Sequence, residues 1–199
     1  SIVSSFLKLL QIDHKESLDS KIMIYSWVVD FFDSNFSDEM YLQYLPLICK
    51  HVSSSDNVLY KFVQKKISFF MAKKSDLISQ LPCTLSLYLL FESSQSRQSR
   101  LEFLCTMSLS FLQFASSNDI PHIDTRAFLL SFHLLCKLCD IHVIDPKHVW
   151  VSYVQERIIE NTFLFNNASI RAAVFRFAST LNNVAEGKFL YSLCILSFF

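Results

Sequence analysis

The stretch "YLQYLPLICKHVSSSDNVLYKFVQKKISFF", residues 41–70, holds two apolar runs separated by a short polar break. The apolar residues recur at intervals of three and four, which lines one face of a helix, and not at two, which would line one face of a strand. Pro46 falls inside the first run, and the break offers Ser55 or Asp56 as a cap ahead of Val58. An oxygen-bearing side chain at that place accepts the N–H groups that the first helical turn leaves unpaired. Two helices joined by a polar turn are the expected unit.

The same pattern continues in both directions. Polar breaks predict helix starts near residues 17, 37, 56, 76, 96, 125, 145, 168 and 185. The offered caps are Ser37, Ser75, Asp124 or Thr125, Asp145 and Asn167, with Asp145-Pro146 the strongest, a capping carboxylate followed by proline at the first helical position. Ile22, Tyr25, Val29 and Phe32 make one apolar stripe and Ile24, Trp27, Val28 and Phe31 its neighbour, so that helix is expected to be deeply buried. An interval of about twenty residues makes a helix pair about forty residues long, the period of helical arrays.

Residues 41–70 resemble a HEAT repeat in more than period. Pro46, Asp56 and Val58 follow in the family's order, with the basic residue at Lys61. "NNASIRAAVFRFAS" is similar to the second helix of another repeat, with Ile170-Arg171 in the Val-Arg slot and Ala173 beyond. The resemblance implies an α-solenoid of antiparallel helix pairs, of HEAT or armadillo type, with about nine to ten helices over residues 1–199. It also implies a concave face used for protein or nucleic-acid contacts.

Composition agrees with an all-α chain. Of 199 residues, 51% are hydrophobic and 18% charged, enough for a core and too apolar for disorder. The single glycine is Gly187, where average usage would give about fourteen. Tight hairpin turns usually want Gly or Asn, which makes a sheet protein improbable; phosphate-cradling loops, dinucleotide turns and nucleophile elbows need glycine for close backbone approach, and none can be built from this chain. The sequence starts without methionine inside one apolar pattern and ends inside another, as an excised piece of a longer chain would. Neither end resembles a signal peptide, and the terminal apolar run, broken by Ser192 and Ser197, is shorter than a membrane span. Cys49, Cys105, Cys136 and Cys194 lie among Leu, Ile and Phe, as buried thiols do, so an intracellular, cytoplasmic or nuclear setting is expected.

The stretch with the strongest look of chemistry is "HLLCKLCDIH", with His133, Cys136, Cys139 and His142 at three-residue steps. Each step turns a helical side chain back by about 60°, so one helix cannot converge all four on a tetrahedral ion. No metal, cofactor or small-molecule substrate is expected. Seven acids cluster between residues 13 and 39, but near helix starts and on polar arcs rather than across a cleft. The chain is read as non-catalytic.

Two surfaces are candidate partner sites. Residues 13–39 carry a net charge of about −5 and residues 50–74 about +5. Lys61, Lys65, Lys66, Lys73 and Lys74 form a basic strip, with Phe62, Phe69 and Phe70 assigned to the core behind it. The strip is either a solvated helix face, a docking strip for an acidic peptide or phosphate backbone, or the complement of the acidic segment across neighbouring repeats. Contacts with nucleic acid would be nonspecific and salt-dependent, because lysine alone gives no base readout. The second surface is the apolar C-terminal helix with Phe189, Leu193, Leu196 and Phe198. The principal expectation is a scaffold that binds another protein's helix or peptide. The alternative is a nucleic-acid-associated helical module using the lysine strip.

Overall fold

The computed structural model describes residues 5, 8–10, 18–73, 76–115, 123–158, 161 and 166–182. Among the described residues the chain is helical throughout, with no strand. The helices are α1 (Leu18–Asn35), α2 (Asp38–Lys50), α3 (Val58–Ala72), α4 (Leu77–Ser94), α5 (Gln98–Ala115), α6 (Thr125–Asp140), α7 (Pro146–Val149) and α8 (Ala168–Asn182). From Trp150 to Ile158, α7 continues as a π-helix, a wider winding that is rare at this length. No described helix is long and apolar enough to cross a membrane.

Side-chain caps fix where the helices start. Ser37 Oγ accepts from the Met40 N–H, Asp124 Oδ1 from Arg126 and Asp145 Oδ1 from Lys147, with Pro146 at the first position of α7. Asp56 Oδ1 accepts from the Leu59 N–H at 3.0 Å, and Asn167 Oδ1 serves both Ser169 and Ile170. Asp76 caps α4 through the Ile78 N–H, in place of the expected Ser75, which lies outside the described residues, as does the expected start near 185. A carboxylate is a strong N-terminal acceptor because it also complements the helix dipole.

The molecule divides into two compact units, residues 1–107 and 108–199, with the boundary inside α5. In the first, α2 packs most extensively on α4, α1 packs on α3, and α3 contacts both α2 and α4. An aromatic cluster joins the three leading helices: Phe32 lies 4.6 Å from Phe36 and 6.2 Å from Phe62, and Tyr41 lies 5.3 Å from Phe36 and 6.0 Å from Phe62 between ring centroids. In the second unit α6 packs on α8. Its core holds stacked Phe128 and Phe132, with Phe177 edge-on to Phe132 at 5.4 Å and tilted against Trp150 at 6.5 Å.

Past the exposed Leu77 and Ile78, it is α4 rather than α1 that has no exposed residue over residues 79–91. Its Ser79, Gln80, Cys83, Thr84, Ser86, Leu87, Leu90, Phe91 and Ser94 are all buried. Its small hydroxyls return their hydrogen bonds to their own helix, Thr84 to the Gln80 carbonyl at 2.9 Å, Ser86 to Pro82 at 2.7 Å and Ser94 to Leu90 at 2.6 Å. Self-satisfied hydroxyls behave as small apolar groups and allow these positions to be buried. In α1, by contrast, Val28 and Phe32 are fully buried while Met23 is 70% exposed, Trp27 58% and Ile22 44%.

Candidate functional site

The basic and acidic strips meet inside the first unit. Asp33, in the last turn of α1, receives the Lys66 ammonium at 2.6 Å and the Tyr41 hydroxyl at 2.9 Å. The Lys66 ammonium also sits 3.9 Å from the Tyr41 ring centroid, where the negative face of the ring attracts it. Burial works against the Asp33 charge, but the hydrogen bonds from Lys66 and Tyr41 and the charges of Lys66 and Lys65 outweigh it and hold the carboxyl below its ordinary range. The Tyr41 hydroxyl is pushed up by burial and by its bond to Asp33. Lys73 pairs with Asp38 at 3.5 Å, with both side chains more than half exposed, and lies 4.4 Å from the Phe69 ring. Phe69 is therefore not a core residue; it is 48% exposed and carries a lysine. Lys61 and Lys65 are exposed on α3. Lys74 lies outside the described residues, as do Phe189, Leu193, Leu196 and Phe198.

These pairings give a pH signature. Asp33 binds its proton less tightly folded than unfolded, so its contribution to stability is present above the unfolded value, about 3.9, and is lost as pH falls through the lower folded one. Asp33→Asn is expected to cost no more than about 1 kcal/mol at neutral pH, because the carboxylate is partly solvated. The variant's loss of stability below about pH 4 should be shallower than that of the parent chain. Urea unfolding at stepped pH checks both; parallel acid limbs would exclude the pairing as a source of stability.

A second cluster went unseen in the sequence. Arg100, at the start of α5, is 1% exposed. Its guanidinium donates to the carbonyls of Ser53 at 3.0 Å, Ser93 at 3.1 Å and Asp56, and lies 4.1 Å from the Tyr60 ring centroid. One side chain thus ties the α2–α3 turn to the end of α4. Burial, and then the charge of Arg97, lower the Arg100 affinity for its proton, while Tyr60 and Asp56 support it. Asp56 is buried, its Oδ2 has no hydrogen-bond partner among the described residues, and burial raises its carboxyl. This geometry is a structural lock, in which the Arg100 guanidinium is spent on backbone carbonyls.

The His/Cys stretch divides its members among different tasks. Cys139 is buried in the apolar stripe with Leu135 and Leu138. His142 takes φ 61°, the left-handed conformation usually reserved for glycine. There its N–H reaches the Cys139 carbonyl and that of Val143 reaches Leu138, both at 2.9 Å, which closes α6 with the paired bonds of a Schellman motif. His133 and Cys136 face a cavity of about 430 Å³ between α6 and α8. Burial, and then the Asp140 charge, push the Cys136 thiol up to about 12, which leaves it un-ionised and a poor nucleophile at neutral pH. Among the described residues no three potential metal ligands converge, and none of the described cysteines forms a disulfide.

Among the described residues α1 carries three exposed large apolar side chains. Ile22, Met23 and Trp27 fall within one 140° arc of the helix wheel, and Asp19 and Asp30, both exposed, lie in the same arc. Asp33, which binds Lys66, also falls in this arc, so the sequence signal for the face is three acids on one side of the helix. Compared with protein-family models, curated proteins and solved structures, the chain matches none.

Proposed function

We propose that this chain is a non-catalytic interaction scaffold, an α-solenoid segment of HEAT or armadillo type that binds another protein's helix or peptide. The outward face of α1 carries the reading. Met23 and Trp27 together offer flexible and aromatic apolar surface, the composition typical of contact centres. Asp19 and Asp30 beside them favour a partner helix with an apolar stripe and basic flanks. The solenoid reading is supported in the first unit by packing of α1 on α3 and of α2 on α4, as stacked helix pairs do. The nucleic-acid alternative draws less support, since Lys66 and Lys73 are already engaged with Asp33 and Asp38.

The test uses the chain's two tryptophans, Trp27 exposed and Trp150 buried. Acrylamide quenching of the intact protein reads Trp27 selectively. A helical peptide with a leucine stripe and lysine flanks is expected to bind saturably and shield Trp27. Met23→Glu should weaken that binding by about tenfold or more, given the worth of a buried Met side chain. The same peptide with glutamate flanks, or with the leucines scattered, should not shield. No saturable shielding, or equal shielding by the glutamate peptide, would overturn the reading.

A further inference from the structure

We propose that Met23 is a modification site, where oxidation of the thioether to the sulfoxide by a peroxide switches off docking on α1, a regulation that rests on the partner-helix reading of that face. All four methionines of the chain, Met23, Met40, Met71 and Met107, are among the described residues. Met23 is 70% exposed and Met71 4%, while Met40 and Met107 are half-buried. An oxidant diffusing in water therefore meets the Met23 sulfur before the others. Thiols are the usual competitors for peroxide, and they react as thiolates. Burial pushes the thiols of Cys49, Cys83, Cys105 and Cys136 up, those of Cys83 and Cys136 to about 12. Cys139 is buried. Thiols held protonated at neutral pH leave the peroxide to Met23.

Position makes the modification consequential. Asp19, Met23, Trp27 and Asp30 follow at intervals of four, four and three residues, one row of exposed side chains along α1. Met23 stands between the acids, with Trp27 one turn further on. In the reaction a sulfur lone pair attacks one peroxide oxygen, the O–O bond breaks and an S–O bond forms. Proton transfer then releases the other oxygen as water. The sulfur is oxidised and the peroxide reduced by the same electron pair. The product carries a polar oxygen where a partner's leucines would otherwise cover an apolar thioether, and that oxygen loses its water on docking against an apolar stripe. The fold is spared, because α1 is anchored on its other side by the fully buried Val28 and Phe32. A pair of thiols reverses the step, taking the oxygen away as water and leaving as a disulfide, a reaction that methionine sulfoxide reductases catalyse.

The test treats the intact chain with a small excess of hydrogen peroxide and maps every methionine and cysteine by peptide mass spectrometry, Cys194, outside the described residues, included. Met23 should gain an oxygen first, while Met71 remains unmodified. Binding is read by the fluorescence anisotropy of a labelled helical peptide with a leucine stripe and lysine flanks. Oxidation should weaken it by about tenfold or more, the worth of the lost apolar contact, with the far-ultraviolet helical signal retained. Methionine sulfoxide reductases for both sulfoxide epimers, with dithiothreitol, should restore it. Met23→Leu keeps the volume and the apolar surface without the sulfur, so it should bind as the parent chain does and lose no affinity after peroxide. Met23→Gln should bind weakly from the outset. Earlier oxidation of another methionine or of a cysteine, unchanged affinity of the Met23 sulfoxide, or an equal loss in Met23→Leu would each overturn the assignment. Absence of binding by the untreated chain would instead sink the α1 reading and the switch with it, a result distinct from all of these.

Discussion

Arg100→Met is expected to lower the stability of the first unit by about 3–5 kcal/mol, the cost of breaking a buried charged network from one side. Methionine replaces the volume of the side chain but not its donors. The carbonyls of Ser53, Ser93 and Asp56 would lose the group that satisfies them, and each unsatisfied buried acceptor costs about 1–3 kcal/mol. The Tyr60 ring would lose the cation over its face, and the buried Asp56 carboxylate its nearby positive charge. Arg100→Lys should recover only part of the loss, because an ammonium carries the charge without the fork that spans three carbonyls. Urea unfolding followed by circular dichroism measures both variants. A loss below about 1 kcal/mol for Arg100→Met would mean that the guanidinium is not what holds the α2–α3 turn.

The second large effect is expected at Phe177. This ring is 1% exposed and stands between Phe132 and Trp150. Phe177→Ala should destabilise the second unit by about 3–5 kcal/mol, through lost transfer energy and the cavity left behind. Phe177→Leu should cost clearly less, because it keeps most of the buried carbon. Trp150 is the natural reporter, since it packs on the mutated position: its emission should shift to the red and its heat transition should come earlier. An unchanged Trp150 transition in the alanine variant would exclude this aromatic row as the core of the unit.

The helical frame was legible in the sequence because the signals that carry it are local. Ser37, Asp124, Asp145 and Asn167 cap helices where the polar breaks place them. Pro46 lies within α2, as the first apolar run implied. Burial was less legible, because it depends on neighbours. Trp27 and Val28 are equally apolar in the sequence, yet one is outside and the other inside; α3 covers only one side of α1. The hydroxyls of α4 mislead in the other direction, since Thr84 and Ser86 count as polar but satisfy themselves. The complement between acidic and basic segments was visible as charge, but the partner of each lysine was not. Lys66 reaches Asp33 through a helix contact spanning 33 residues of sequence, and no pattern in residues 61–74 distinguishes Lys66 from Lys65. Arg100 gave no local sign: its partners are carbonyls of the α2–α3 turn, the Ser93 carbonyl and the Tyr60 ring.

That reach also sets an order of events at the ribosome. Arg100 comes 44 residues after Asp56 and 47 after Ser53, so both helices flanking their turn emerge long before the residue that fastens it. Until then the carbonyls of the turn must be served by water, and a growing chain that halts at Ser94 would hold α2, α3 and α4 with the knot untied. The first unit is therefore completed by the opening residues of α5, the helix in which the second unit begins.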